Sequence, residues 1–149
     1  MIVLGIDPGP DGYHMLDGAT KEQLRFADCC GAWASQEVTA IIEWPEAQGR
    51  QIRLEPLLAT RGRAQSLADK LHEQGVAVYI PSRAVIMRQL GYSPRRDGGG
   101  DSWLRRYLVG LGHKCGRGTA LNSSHARAAL AASMFNYRDR RNAKYRYKG

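Results

Sequence analysis

The stretch Ile2-Val3-Leu4-Gly5-Ile6-Asp7-Pro8-Gly9-Pro10-Asp11-Gly12 decides how the rest of the chain is arranged. Its apolar, β-branched run is too short for a helix with its own caps and stops at proline and glycine, so it predicts a buried strand. That strand delivers one carboxylate, Asp7, into a turn. A second strand follows over residues 13–16, which makes the turn a hairpin. Asp before Pro-Gly is also a common way to start a turn, so Asp7 alone marks no site. A second acid placed the same way gives it weight. In Val38-Thr39-Ala40-Ile41-Ile42-Glu43-Trp44-Pro45 an apolar run again ends in a carboxylate and is cut by proline. If the two strands are neighbours, Asp7 and Glu43 come within reach of one hard divalent cation, which needs few protein oxygens and keeps several waters.

Composition limits the classes open to the chain. Its 149 residues suit one α/β domain better than two. With 22 Lys+Arg against 14 Asp+Glu, a formal charge of +8 and a pI near 9.8, it fits a polyanion partner. Three cysteines, two adjacent at Cys29-Cys30, make a poor disulfide framework and fit a reducing cytoplasm. The spacing of His113, Cys115 and that pair matches no zinc pattern. No membrane span and no signal peptide is expected.

Working outward, residues 21–27 alternate loosely and predict a third antiparallel strand after an Asp17-Gly18 turn. Residues 29–37 read as the loop or short helix that a parallel pairing of the first and fourth strands requires. Residues 45–53 form an exposed loop beside the two acids, with Arg50 and Arg53 placed to hold a phosphodiester backbone. Leu54, Leu57, Leu58, Ala64, Leu67, Ala68 and Leu71 mark a helix stopped at Gly75. On it Arg61 and Arg63 either approach phosphate or lie on a solvated face. Residues 76–80 are the last strand, Ser82-Arg83 opens a short helix, and residues 91–100 are a basic, glycine-rich loop carrying Arg95 and Arg96, either a DNA-contacting loop or a plain linker. Asp101-Ser102 is expected to cap a helix over residues 103–111. Lys114 and Arg117 lie in a second basic loop. Asn122-Ser123-Ser124 caps a final alanine-rich helix to about residue 136. Residues 138–148 are a tail with six basic residues and one acid, which either follows a nucleic-acid backbone or is a solubilising end.

Three of these segments together resemble a known family. Gly5-Ile6-Asp7-Pro8-Gly9, the strand ending Ile41-Ile42-Glu43, and His125-Ala126-Arg127-Ala128-Ala129-Leu130 look like the RuvC family of Holliday junction resolvases. Gly75-Val76-Ala77-Val78-Tyr79-Ile80-Pro81 resembles that family's fifth strand, so the likeness runs nearly the whole chain in order. It implies a ribonuclease H-like α/β fold, in which a central five-stranded mixed sheet of three antiparallel and two parallel strands is flanked by helices. Residues 1–137 would form the resolvase domain and residues 138–149 a basic C-terminal tail.

The resemblance further implies a Mg²⁺-dependent endodeoxyribonuclease, also supported by Mn²⁺, acting as a homodimer in DNA recombination and repair. Such an enzyme makes paired symmetric nicks in four-way junctions, in a bacterial cytoplasm or, for a phage-encoded chain, the host's. Two ions about 3.5–4 Å apart carry the hydrolysis in such sites. By that likeness Asp7 bridges them, Glu43 holds one, and His125, whose imidazole can bind a metal or orient a nucleophilic water, takes the first of two last-helix metal-site positions three residues apart. The second falls on Ala128, where the motif calls for aspartate, and alanine offers no oxygen. Weakened metal binding and little or no cleavage are therefore expected. The alternatives are a non-cleaving junction-binding protein and another ribonuclease H-like nuclease, YqgF-type or RNA-directed. Actin-like ATPases share a distant form of the fold but need a longer chain.

Overall fold

The structure, a computed structural model, describes residues 1–29, 37–47 and 53–149. Five strands form one sheet: β1 (Ile2–Pro8), β2 (Tyr13–Asp17), β3 (Gln23–Leu24), β4 (Val38–Ile42) and β5 (Ala77–Tyr79). Their order is β3-β2-β1-β4-β5. β1 pairs antiparallel with β2, and β2 with β3, while β4 pairs parallel with both β1 and β5. This is the mixed sheet of the ribonuclease H-like fold.

Strand periodicity explains which side chains reach the site. Leu4, Ile6, Ala40, Ile42 and Val78 point to one face and are covered by Ala64, Leu67, Ala68 and Leu71 of α2 (Leu54–Glu73). Ile41 and Tyr79 point to the other face. That face is covered by α3 (Arg83–Gln89), α5 (Gly100–Gly110) and α6 (Ser124–Ser133), through Ile86, Leu104, Leu108, Ala129 and Leu130. The result is three layers with β4 buried on both sides, which is why its sequence reads as an unbroken apolar run.

The closest approach between layers fixes α6. A Cβ built on Gly5 of β1 would lie 1.8 Å from the Ala129 carbonyl oxygen, so only glycine lets the helix sit this low on the strand. Gly5→Ala should cost about 3 kcal/mol or more, because the obstacle is backbone and cannot swing aside. Gly62→Ala, in the exposed middle of α2 with nothing within 4 Å of the added carbon, should instead gain about 0.5–1 kcal/mol. Urea midpoints of the two variants moving in the same direction would contradict this account of the interface.

Several boundaries differ from the sequence expectations. β3 is two residues long, because the chain turns at Phe26 into a single helical turn, α1 (Phe26–Cys29), that ends its pairing. α2 begins and ends as predicted, with Gly75 at φ +80° just beyond it. Its first leucines do not reach the core: Leu54 and Leu58 are 61% and 54% exposed. Within the basic loop lies a helical turn, α4 (Pro94–Asp97), closed by the Asp97 carboxylate, which accepts from the Ser93 N–H at 2.8 Å and pairs with Arg96. α5 starts at Gly100 with no side-chain cap, and Asp101 turns to Arg83 instead. Ser123 caps α6 by accepting from the Ala126 N–H at 3.1 Å, but the helix stops at Ser133. The residues that follow are not a free end. The segment after Asn136 forms a 3₁₀ turn (Arg140–Tyr145) and then pairs with β5.

Candidate active site

The register of β1 and β4 brings the two predicted acids together. Gly5 pairs with Ile41 and Ile6 with Ile42, so Asp7 and Glu43 follow side by side at the ends of adjacent parallel strands. The Glu43 N–H donates to the Ile6 carbonyl at 3.0 Å, which holds that end in line. By strand alternation, Asp7 shares the α6-facing side with Gly5, and Glu43 shares it with Ile41. Because Gly5 seats Ala129, the turn of α6 just before it hangs over Asp7. His125 lies there, with Nδ1 2.9 Å from the Asp7 Oδ2. Ala128, three residues on and on the same helix face, is buried. Asp7, Glu43, His125 and Ala128 line one open cleft of about 1040 Å³.

Burial and neighbours set the electrostatics. Desolvation, with the hydrogen bond and charge of Asp7 beside it, pushes the Glu43 carboxyl up to about 8. The opposing influence is Arg83, at the first position of α3, whose Nη1 is 3.5 Å from the Glu43 Oε1. Arg83 also pairs with Asp101 of α5 through Nη2 at 2.8 Å. A fixed guanidinium thus stands in the cleft beside one acid. His14 lies opposite Asp7 in the hairpin register. Its burial lowers its pKa from the usual histidine value, with the Asp7 charge pulling the other way.

Arg83 and His14 were not among the sequence candidates. The available signals were an arginine directly after the Ser82 cap, and the position opposite Asp7 across a Pro8–Tyr13 hairpin pair.

The other predicted contacts fall elsewhere. Arg53, Arg95, Lys114 and Arg117 are exposed, outside the cleft lining. The Arg61 Nε donates to the Pro45 carbonyl at 3.0 Å, fixing the start of the loop after Glu43. Arg63 Nε is buried with no hydrogen-bond partner among the described residues. Arg96 is exposed and held by Asp97 and the Gly91 carbonyl. Arg50 lies outside the described residues. Trp44 packs against the core and also lines the cleft, where Glu46 is exposed. Arg88 of α3 also lines the cleft.

The donor set does not fit a pair of divalent ions. Of the four carboxylates that line the cleft, Asp7 and Glu43 lie with the His125 imidazole, while Glu46 is exposed and Asp101 is paired with Arg83; Ala128 contributes no donor atom, and the Arg83 cation stands beside Glu43. Among the described residues no group of three or more His, Cys, Asp or Glu could hold a metal ion.

The outline has a counterpart among solved structures. T. thermophilus RuvC in complex with Holliday junction substrate matches over 93% of this chain and 96% of that one, at 14% sequence identity and a TM-score of 0.49. At that identity and score, the likeness adds nothing to what the strand order already establishes. No family model matches the chain, and no curated protein matches it. No helix among the described residues is long and apolar enough to cross a membrane.

Proposed function

We propose that this chain is a crossover junction protein of the RuvC kind, built for divalent-metal-assisted nicking of four-way DNA junctions and impaired in cleavage by Ala128. The observation that supports it most is the convergence of Asp7, Glu43 and His125 in one open cleft of a chain with a formal charge of +8. Strand-end carboxylates on a rigid sheet suit a hard cation. A divalent ion bound there would supply polarisation of a phosphodiester and activation of a water. In this reading Asp7 and Glu43 would hold the ion, and His125, hydrogen-bonded to Asp7, would orient the site. Nicking two opposed strands needs two sites, so the working form is a homodimer with two ions per intact site. The same site could be served by Mg²⁺ or Mn²⁺.

The alternative, a junction-binding protein that does not cut, is favoured by the Ala128 side chain and by the guanidinium beside Glu43. A binding competition separates these readings from a nuclease for hybrids or plain duplex. In Ca²⁺, a four-way junction should bind on the order of tenfold or more tighter than a duplex of one arm's sequence or an RNA/DNA hybrid, a difference of about 1.4 kcal/mol or more. Equal affinities for all three would overturn the junction reading.

A further inference from the structure

A second cavity lies on the far side of α3 from the cleft. It has a volume of about 470 Å³ and is bounded by α3 and the 3₁₀ turn near the C-terminus. Arg88, Arg141, Lys144, Asn136, Asn142 and Asp139 are among the residues that line it. Asp139 pairs with Arg141 at 2.7 Å, which leaves Arg88 and Lys144 as cations without an ion-pair partner among the described residues. Arg88 also lines the cleft that holds Asp7 and Glu43. One side chain therefore belongs to both concavities.

The wall on the C-terminal side is fixed in place. Ile80 N–H donates to the Tyr145 carbonyl at 2.9 Å, and Tyr147 N–H to the Val78 carbonyl at 2.8 Å, so residues 145–147 add to the edge of β5. Tyr145 packs edge-on against Phe135, with ring centres 5.8 Å apart. The Tyr147 hydroxyl hydrogen-bonds Asp69 of α2. Asn142 Nδ2 donates to the Asn136 carbonyl at 2.7 Å. The basic residues of this segment are thus held on a rigid support, with the ordering of the backbone already complete before any partner arrives.

We propose that this second cavity is a phosphate-backbone site for a duplex DNA arm leaving the cleft, with Lys144 as its cation and Arg88 as the link between the two. It rests on the DNA-binding part of the function proposed above. The chemistry is that of a diester anion: Arg88 and Lys144, neither in an ion pair among the described residues, and the side-chain amides of Asn136 and Asn142 offer charge and donors, beside the Val85 and Tyr145 side chains that form the apolar part of the lining. The scale also suits DNA. Arg83 and Arg88 are five residues apart on α3, a rise of about 7.5 Å, and successive phosphates advance about 3.4 Å per strand along a duplex axis. A strand crossing the cleft would pass Arg88 within a few nucleotides of the acids.

The test is the salt dependence of binding to a four-way junction and to a plain duplex, for the unaltered chain and for Lys144→Gln, Lys144→Arg and Arg88→Gln. Lys144→Gln should weaken junction binding roughly three- to tenfold at physiological salt and reduce the slope of log affinity against log salt by about one. Lys144→Arg should restore both. The loss should vanish on junctions whose arms are too short to reach α3's far side, while Arg88→Gln still weakens them. An unchanged slope in Lys144→Gln, or an effect that persists on short arms, would overturn the proposal. If junction and duplex bind equally, yet Lys144→Gln lowers the slope on both, the junction reading fails and this site stands. No measurable binding to either DNA would overturn both.

Discussion

If the proposed function holds, Ala128→Asp should bring about or strongly raise nicking of four-way junctions in Mg²⁺. The alanine is 6% exposed, faces the cleft with Asp7, Glu43 and His125, and lies one residue before the carbonyl that rests on Gly5. An aspartate there keeps the same Cβ and extends its oxygens into open space, so the helix need not move. Without metal the new carboxylate joins Asp7 and Glu43 at the partly desolvated end of the cleft, and the variant should lose about 1–3 kcal/mol of stability. With a divalent ion bound at a hundred times its dissociation constant, about 2.7 kcal/mol should return. The thermal midpoint of the variant should therefore rise with Mg²⁺ or Mn²⁺ far more than that of the unaltered chain. Stabilisation of charge in the reacting phosphate by several kcal/mol corresponds to a rate gain on the order of a thousandfold. Ala128→Asn, which has an oxygen but no charge, should gain much less. If Ala128→Asp shows neither a metal-dependent midpoint nor nicks, the assignment of this cleft as a nuclease site fails.

The second large effect is on stability. Glu43→Gln should make the protein more stable at neutral pH and remove a pH dependence. Glu43 has an ordinary value of 4.5 and is pushed up to about 8 in the folded chain, chiefly by burial and then by Asp7. The folded state therefore binds a proton more tightly than the unfolded state does. Stability contributed by the neutral acid is complete below about pH 4.5, falls as the pH rises toward 8, and is lost above it. Glutamine keeps the shape and can still donate to Asp7, but it never ionises. The difference in unfolding free energy between variant and parent should grow across this window to the order of a few kcal/mol. Denaturant midpoints at pH 5 and pH 8.5 measure it. A difference that stays flat between them would mean that Glu43 is not held as an acid by its surroundings. Under the proposed function activity and stability oppose each other at this residue: the acid that would hold a metal is one whose charge its own burial disfavours.

Much of this site was legible because two separate signals coincide at it. An apolar, β-branched run cut by proline marks a strand end, and a carboxylate at that point is unusual enough to notice; Asp7 and Glu43 both satisfied this. His125 came from the family resemblance, which puts a site residue at the start of the last helix. The fold was legible for the same reason, since strands and the long α2 carry their periodicity locally. Arg83 and His14 were not legible as site residues. Each is placed by a partner far away in sequence, Glu43 for one and Asp7 for the other, and no local pattern encodes that. The expected Asp101 cap failed because its carboxylate finds a guanidinium at 2.8 Å, a charged partner that outweighs a helix N–H. Leu54 and Leu58 share the helical period of α2 but lie beyond the sheet it packs on, so periodicity alone overstated the buried face. The C-terminal residues looked like a loose basic end because composition records charge and is silent about Tyr145 and Tyr147 as anchors.

Those anchors also settle how copies of this molecule can touch. A bare strand edge offers unpaired amides that recruit foreign strands. Here residues 145–147 occupy the rim beside β5, and at the opposite rim the described residues leave only the two-residue β3. Neither side is long enough or open enough to template a neighbour. If two copies act on one substrate, as proposed above, the strand rims of the described residues offer them little to pair through.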